Sequence, residues 1–256
     1  MYSSGRGKSS EKMKKSVFIT GANRGIGLGL VKEFLKNDNV SMIIAGTRNL
    51  ETSEALLHLG DDARLHFVEI DLEKDENIKA AFSSIQIDDL VGDAGLDLLI
   101  NNAGIHVPLD VNAPIDREAA RQTYEVNVIG TLSVIQVFKP LLLQAVTNKG
   151  WAQIVNISSI MASMVHTFGP FNRHWCGYSM SKAAVNMMTR TLSLDFMKDK
   201  IGVTAISPGW VKTDMGGDEA PTTVEESASG LAKFSMELGE EQNGKYYNYD
   251  STPIDW

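Results

Sequence analysis

Cysteine, basic charge and long apolar runs are what this sequence has least of. Cys176 is the single cysteine among 256 residues, which excludes an intrachain disulfide and is typical of a reducing compartment. Lys and Arg number 24 against 32 Asp and Glu, a net charge of −8, so no nucleic-acid-binding surface is expected. No apolar run approaches the roughly 20 residues of a membrane-spanning helix, and no membrane partner is expected.

The N-terminal residues differ in composition from the rest of the chain. Residues 1–15 are polar, basic and rich in Ser and Gly, and the apolar stretch at 17–19 runs directly into glycine. This stretch is too short for the apolar region of a cleavable signal peptide. We therefore expect a flexible tail over residues 1–15, a single domain over residues 16–256 and a cytoplasmic location.

Short β-rich runs alternate with helical patterns after the tail. Strands are predicted at 16–20, 41–45, 65–70, 96–100, 153–157, 202–206 and 246–249. Helices are predicted at 27–36, 52–59, 75–85, 117–146 and 178–198. Strands that alternate with helices form parallel sheets with helices on both faces. The sequence predicts an α/β fold, a single-domain Rossmann-type doubly wound sheet of about seven strands.

A glycine-rich turn, TGANRGIG, joins the first predicted strand to the first predicted helix. The N–H groups and dipole of a helix N-terminus attract a pyrophosphate, and glycines let the backbone approach it. The spacing is Gly-x-x-x-Gly-x-Gly, not the commoner Gly-x-Gly-x-x-Gly, but its place at the first strand–helix junction favours a dinucleotide site. The residues predicted to form this site are Gly21, Asn23, Arg24, Gly25, Ile26 and Gly27.

The end of the second predicted strand indicates which nicotinamide cofactor binds. NAD sites carry an acidic residue there that hydrogen-bonds the ribose 2′-OH, whereas this strand ends in Thr47 and Arg48. Arg48 can form a charge-assisted bidentate pair with a 2′-phosphate, and Arg24 could close on the same phosphate. The alternative is two ordinary surface arginines. Their coincidence with the missing acid favours NADP(H).

Tyr178 and Lys182 lie four residues apart, on one face of a predicted helix. A nearby lysine cation favours the phenolate, so we expect the tyrosine pKa to fall towards working pH, which suits a general acid or base. The pair alone is weak, because chance occurrences are common. Hydroxyl and amide side chains also follow neighbouring strands at their carboxyl ends, where ligands bind in this architecture. Asn127 stands inside a predicted helix although asparagine is a poor helix former. Both observations strengthen the interpretation of Tyr178 and Lys182 as a catalytic pair.

The motifs TGANRGIG, NNAG, NVIG, NISS, YSMSK and PGWVKT occur in this order. Their order and spacing resemble the short-chain dehydrogenase/reductase family over residues 16–256. The stretches PGWVKTDMGGDEAP and NGKYYNYDSTP are most similar to the sniffer and C-factor branch of carbonyl reductases. The resemblance implies NADPH-dependent reduction of aldehydes or ketones to alcohols.

The resemblance also implies roles for single residues. Asn127, Ser159, Tyr178 and Lys182 match the catalytic tetrad. Tyr178 would protonate the carbonyl oxygen and Ser159 would hydrogen-bond it, while Lys182 would lower the tyrosine pKa and bind the nicotinamide ribose. Asn127 would hold a water of the proton relay. Ser159 is preferred to Ser158 because the family's catalytic serine is usually the second of the pair. Further matches to cofactor-contacting positions are Asp71, Leu72, Asn101, Asn102, Ala103, Gly104, Pro208, Gly209, Val211 and Thr213.

The stretch between Ser159 and Tyr178 departs from the family. It is longer than in many members, and Ala162 stands where glycine is frequent. It is also rich in apolar and aromatic side chains, which either line a pocket for a hydrophobic aldehyde or ketone or pack under a long loop. The residues predicted to line the substrate pocket are Ile105, Met161, Trp175, Trp210 and Met215. No metal site is predicted, because His166 and His174 have no third ligand at suitable spacing.

Two other functions are considered. An NAD-dependent alcohol dehydrogenase is disfavoured by the absence of an acid at Thr47. A cofactor-binding signalling or sensor protein without turnover is disfavoured by the intact tetrad, although the C-factor resemblance keeps it open. Family members commonly pair through two long helices, here 117–146 and 178–198, so a homodimer acting on a small carbonyl substrate is expected.

Overall fold

The computed structural model describes residues 14–87, 89–166 and 174–256. Most of the predicted tail, and Phe168 and Phe171 of the long stretch before Tyr178, lie outside these residues; Lys15 already belongs to the first strand. The strands are β1 (Lys15–Thr20), β2 (Val40–Thr47), β3 (Leu65–Glu69), β4 (Leu98–Asn101), β5 (Ala152–Ile157), β6 (Ile201–Ser207) and β7 (Tyr246–Asn248). The helices are α1 (Gly25–Leu35), α2 (Glu54–Leu57), α3 (Asp75–Ile87), α4 (Arg117–Tyr124), α5 (Thr131–Lys149), α6 (Cys176–Asp195) and α7 (Val224–Glu237).

The strands form one parallel sheet in the order β3-β2-β1-β4-β5-β6-β7. The chain builds outwards from β1 to β3 on one side and from β4 to β7 on the other. This reversal opens a crevice beyond the carboxyl ends of β1 and β4, the place where ligands bind in doubly wound sheets. The predicted fold class is confirmed.

Each face of the sheet is covered by its own hydrophobic core, because successive side chains of a strand point to opposite faces. Val17 and Ile19 of β1 pack with residues of α1 and α7. Phe18, between them, packs on the other face, where its ring stacks on Phe138 of α5 with centroids 4.7 Å apart. Burial on both faces explains why the central strands are apolar throughout instead of alternating.

Helix α7 was not predicted from the sequence. Its first turn is capped by Thr223, whose Oγ1 accepts a hydrogen bond from the N–H of Glu226 at 3.1 Å, and Thr-x-x-Glu is a recognisable start signal. Polar and small residues interrupt the apolar face of this helix, so its sequence does not show a clear helical periodicity of apolar residues. It packs closely on α1, since a Cβ placed on Gly29 would lie 2.8 Å from the Cβ of Ala228.

The helix predicted at 117–146 is interrupted. α4 and α5 are joined by a π-helical segment, Glu125–Gly130. The combined stretch, Arg117–Lys149, has a window of mean hydropathy 1.6 and is long and apolar enough to cross a membrane by length and composition, so the statement that no apolar run reaches this size was wrong. Half of that window is buried, and Phe138 lies in the core under the sheet, as expected for a core helix.

Candidate active site

The glycine-rich turn has the geometry of an anion-binding loop. Gly21 and Gly25 adopt positive φ angles of 66° and 51°, which side chains rarely adopt. A Cβ on Gly27 would lie 2.1 Å from the carbonyl oxygen of Gly21. No side chain caps α1 at Arg24, and its first turn has no acidic residue. The N–H groups that begin α1 therefore lie at the crevice with no capping side chain and no acidic residue in their own helical turn.

Side-chain hydrogen bonds tie this turn to the loop after β4. Thr20 Oγ1 accepts from the N–H groups of Asn102 and Ala103, both at 3.1 Å. Asn102 Nδ2 donates to the carbonyl oxygens of Thr20 and Gly21 at 2.9 and 3.0 Å. The two loops that flank the crevice thus form one rigid floor, and this explains the pairing of TGANRGIG with NNAG in the sequence.

A cavity of about 680 Å³ runs along this edge of the sheet, within the size range of small-molecule sites. The predicted cofactor residues that line it are Gly21, Asn23, Arg24, Gly25, Ile26, Gly27, Arg48, Asp71, Leu72, Asn102, Ala103, Gly104, Tyr178, Lys182, Pro208 and Thr213. Lining residues that the sequence did not indicate include Asn49, Thr52, Val126, Lys212, Asp214 and Val224.

Three residues predicted to contact the cofactor lie outside the lining. Gly209 packs against the ring of Tyr249. Val211 is buried and pairs with Thr222 through the main chain. Asn101 is also buried, and its Nδ2 donates to Asn156 Oδ1 at 2.8 Å. These residues support the walls of the cavity from behind instead of facing it.

The cavity end near β2 lacks a carboxylate on that strand. Thr47 is buried, and its hydroxyl lies 3.1 Å from that of Ser53. Arg48 is exposed and lines the cavity. Arg24, also exposed, forms an ion pair at 2.5 Å with Asp214 from the segment after β6, a partner that the sequence did not suggest.

Asp71, the predicted adenine contact, follows β3 at the same cavity end. Its carboxylate pairs with Lys74 at 3.0 Å and accepts a hydrogen bond from the N–H of Glu73 at 3.2 Å. The side chain is therefore fixed at the cavity wall.

Tyr178 and Lys182 stand one turn apart on α6, and both side chains are almost fully buried. Lys182 Nζ donates a hydrogen bond to the carbonyl oxygen of Ile157 at 2.8 Å and lies 5.7 Å from the Tyr178 ring centroid. Burial lowers the pKa of Lys182 to about 8. Burial also raises the pKa of Tyr178 to about 12, against the opposing effect of a hydrogen bond from Ser159. The expected fall of the tyrosine pKa is therefore wrong for this structure, because desolvation is the largest effect on this buried phenol.

The two serines after β5 have different partners. Ser158 lies at the cavity wall, and its Oγ donates to Asn186 Oδ1 at 2.6 Å. Ser159 Oγ accepts from the N–H of Met161 at 3.2 Å, and its side chain lies close enough to Tyr178 to lower the pKa of the phenol. The effect on the tyrosine pKa favours Ser159, whereas the cavity lining contains Ser158 and not Ser159. The choice of Ser159 as the catalytic serine stays a prediction.

Asn127 lies in the π-helical segment. Its tertiary hydrogen bonds explain why an asparagine stands inside a long helix. Its Nδ2 donates to the carbonyl oxygen of Ile105 and to Ser181 Oγ at 2.9 and 3.0 Å, and its Oδ1 accepts from the N–H of Ile105 at 2.8 Å. A Cβ on Gly104 would lie 3.3 Å from both Asn127 Oδ1 and Lys182 Nζ. The asparagine thus holds the loop after β4 against the lysine, and π segments often occur at such functional positions.

The predicted substrate pocket is partly assembled. Ile105 and Met215 line the same cavity as Tyr178. The Trp175 ring meets the Tyr178 ring edge-on, with centroids 5.3 Å apart. Met161 lies in the 3₁₀ turn Ile160–Ala162 that follows Ser159. Trp210 is exposed, and its Nε1 donates to the carbonyl oxygen of Gly216 at 2.7 Å.

His106 was missed by the sequence reasoning. Its ring stacks on Trp175, with centroids 3.7 Å apart and planes within 3°, and it meets the Tyr178 ring edge-on at 5.9 Å. Its Nε2 lies 3.1 Å from the carbonyl oxygen of His174. The only sequence signal was its position directly after the NNAG loop and Ile105. Two aromatic rings therefore flank Tyr178 on one side.

Comparisons with known proteins agree with this geometry. Residues 15–223 match the family model described as short chain dehydrogenase. The carbonyl reductase Sniffer of D. melanogaster superposes with a TM-score of 0.87 at 34% identity, over 95% of this chain and 100% of that one. An NADPH-bound carbonyl reductase from chicken fatty liver gives 0.86 at 33%, over 95% and 99%. The C-signal protein of Myxococcus xanthus is 31% identical over 63% of this chain and 93% of its own length. The chain belongs to the short-chain dehydrogenase family.

Proposed function

We propose that this protein reduces aldehyde or ketone carbonyls to alcohols, with NADPH as cofactor and Tyr178 as the proton donor. The observation that carries the proposal is the burial of Tyr178 and Lys182, one turn apart on α6, at the wall of a cavity that begins at an uncapped glycine turn. The similarity to the Sniffer and chicken carbonyl reductases supports the same reaction.

The residues at the cavity wall fit a dinucleotide with a 2′-phosphate. The N–H groups at the start of α1 would bind its pyrophosphate, Arg48 its 2′-phosphate and Lys182 its nicotinamide ribose. Thr47 leaves no carboxylate at the end of β2 to repel the 2′-phosphate. When bound, the cofactor supplies the hydride.

The chain's own groups handle the proton. With a pKa of about 12, Tyr178 keeps its proton at neutral pH and can donate it to the carbonyl oxygen as negative charge develops there. Ser159 donates a hydrogen bond to the same oxygen. The Lys182 ammonium, fixed by Ile157, stabilises the phenolate that remains, and Asn127 would hold a water that returns a proton to the site.

The apolar character of the reacting end favours a hydrophobic carbonyl substrate. Ile105 and Met215 line the cavity beside Tyr178, and Trp175 and His106 flank the tyrosine. These side chains offer apolar area with little charge, which suits an aliphatic or aromatic aldehyde or ketone more than a sugar or a carboxylate.

The direct test is NADPH oxidation with a panel of aldehydes and ketones, comparing the wild type with Tyr178→Phe. We expect the variant to lose at least about 100-fold in kcat while its Kd for NADPH changes little, because only the hydroxyl is removed. Turnover that survives intact in the variant would exclude Tyr178 as the acid.

A cofactor-binding signalling protein is the second candidate, favoured by the similarity to C-signal. The same panel separates the two. NADPH binding without turnover of any carbonyl in the wild type would favour signalling, whereas turnover that depends on Tyr178 favours the reductase.

We also propose a cytoplasmic homodimer. Several large apolar side chains of the π-helical segment, α5 and α6 are exposed in the single chain: Ile129, Leu143, Met180, Met187 and Leu194. Pairing through these helices would cover them. Sedimentation of the wild type and of Met187→Glu tests the dimer, which the added charge should weaken.

A further inference from the structure

The residues that follow β7 fold back towards the serine end of the active site. The N–H of Ile254 donates to the carbonyl oxygen of Tyr246 at 2.9 Å, and Tyr247 and Pro253 form an antiparallel bridge. This return places Asp255 and Trp256 beside the turn that follows Ser159. We call Tyr246, Asp255 and Trp256 the brace.

Tyr246 contacts the main chain of the predicted catalytic serine. It is among the largest fully enclosed side chains, and its hydroxyl donates a hydrogen bond to the carbonyl oxygen of Ser159. Burial raises the pKa of Tyr246, and the nearby Tyr178 raises it further, against hydrogen bonds from Ser158, Asn186 and Ser207. The hydroxyl therefore lies in a polar cluster directly behind Ser159 and does not face the cavity.

Asp255 and Trp256 hold the next residues of the same segment. Ser163 Oγ donates to the main-chain oxygen of Asp255 at 2.6 Å, and the N–H of Met164 donates to that of Trp256 at 3.2 Å. The Trp256 ring stacks on Tyr246, with centroids 5.4 Å apart and planes within 19°. The brace is thus one unit, with the tyrosine at one end of the turn and the main chain of 255–256 at the other.

Ser159 needs this support because its own turn is short. The 3₁₀ turn Ile160–Ala162 supplies one hydrogen bond to the serine hydroxyl, from Met161. The N–H of Ile160 is held from outside the turn by Ser207 Oγ, at 3.1 Å. Within the segment, the carbonyl oxygen of Ser159 also accepts from the N–H of Ala162 at 2.8 Å, and Ser163 Oγ accepts from the N–H of His166 at 3.1 Å. The brace adds hydrogen bonds from outside the segment to Ser159, Ser163 and Met164. A displacement of about 1 Å at a reacting group can cost about 100-fold in rate.

We propose that Tyr246 and Trp256 are positioning residues that fix Ser159 against Tyr178 and the carbonyl oxygen of the substrate. They act through the main chain of residues 159–164 and touch neither the cavity nor the reacting atoms. This inference rests on the proposed reductase function.

The test compares Tyr246→Phe with Tyr247→Phe, its neighbour on β7. Tyr247 is buried on the opposite face of the sheet, against Phe234, and makes a matched control. We expect Tyr246→Phe to lower kcat about tenfold or more, with the Kd for NADPH within about twofold of wild type because the brace lies outside the cofactor cavity. Tyr247→Phe should leave kcat within about twofold.

Trp256 provides a second variant that is less buried and less disruptive to folding. Trp256→Ala removes the ring from Tyr246 and should lower kcat, whereas Trp256→Phe keeps a stacking ring and should restore most of it. A merely structural role would lower the melting temperature of Trp256→Ala without this rescue of kcat at a temperature where all the variants are folded.

Amide hydrogen exchange gives a readout that does not need activity. Exchange at Met161 and Met164 should be faster in Tyr246→Phe and Trp256→Ala than in the wild type, and unchanged in Tyr247→Phe. Wild-type kcat retained in both brace variants, or exchange unchanged in both, would overturn the proposal. If the wild type itself reduces no carbonyl, the proposed function fails, and exchange alone then decides whether the brace holds the segment.

Discussion

Lys182 is held by Ile157: its ammonium donates to the carbonyl oxygen at the end of β5 across 2.8 Å. The end of β5 therefore fixes the direction of the lysine side chain, and the packing of α6 on that strand sets the distance from Lys182 Nζ to the Tyr178 ring. The same enclosure lowers its pKa to about 8. The buried position of the Lys182 ammonium serves the proposed chemistry but lowers the stability of the folded protein, and this cost can be measured.

Lys182→Met should stabilise the protein while abolishing reduction. The folded lysine has a pKa of about 8, against 10.5 for a lysine in water. The unfolded chain therefore binds more protons between these values, and wild-type stability rises with pH across that window. The penalty is fully present below pH 8. We expect Lys182→Met to be more stable by about 1–2 kcal/mol there and to lose this advantage as the pH approaches 10.5, in urea unfolding followed by circular dichroism.

The control for this measurement is Lys233→Met, an exposed lysine on α7. Its stability relative to the wild type should not depend on pH between 7 and 10 in the same unfolding series. A stability difference for Lys182→Met that is constant over this range would show that the buried ammonium is not the cause.

The rate of carbonyl reduction should fall above about pH 8. Tyr178 keeps its proton up to a pKa of about 12, so loss of the acid does not set this limit. Lys182, with a pKa of about 8, loses the positive charge that stabilises the phenolate. In Lys182→Arg, whose guanidinium stays charged, any residual kcat should show no fall between pH 8 and 10. A flat wild-type profile to pH 10 would contradict this assignment.

Arg48→Gln should weaken NADPH binding without affecting NADH. The exposed guanidinium lines the cavity beside Thr47, and loss of one charged contact to a phosphate costs about 1.5–3 kcal/mol, or at least about tenfold in Kd. Fluorescence titration with both cofactors measures the ratio. Arg121→Gln, an exposed arginine paired with Glu118 on α4, is the control. An equal loss for NADH would mean that Arg48 does not contact the 2′-phosphate.

Gly27→Ala should disrupt the glycine turn. The added Cβ would stand 2.1 Å from the carbonyl oxygen of Gly21, which is main chain and can move only if the turn moves. We expect NADPH binding to weaken by at least about tenfold, in the same titration. Gly239→Ala offers a comparison, since its Cβ would meet only the Gln242 side chain at 4.0 Å. Normal cofactor affinity in Gly27→Ala would show that the turn tolerates a shift.

The sequence was sufficient for features set by local pattern. The apolar runs of the central strands, the glycine spacing before α1 and the Tyr178–Lys182 pair each depend on a few neighbouring residues, and their places in the structure agree with expectation. Features set by tertiary contacts were not predictable in this way. The pKa of Tyr178 is raised because its side chain is buried, and burial is not visible in a motif.

Some site residues were not predicted from the sequence, for the same reason: tertiary contacts place them. His106 gains its position from stacking on Trp175, and Tyr246 and Trp256 approach Ser159 only after the chain has returned along the sheet. Helix α7 had a readable capping signal at Thr223, but its small and polar residues resembled a loop. Long-range partners of this kind carry no fixed spacing to the residues they support.

The π-helical segment that carries Asn127 makes chain length at this point as important as side-chain identity. A π turn holds one residue more than an α turn. Removal of a single residue other than Asn127 from 125–130 would let this segment close into regular α geometry and would move the residues within it to new positions around the helix axis. Asn127 would then leave Ile105, although every side chain of the tetrad was still encoded. Substitutions in this segment can be conservative, but a deletion cannot.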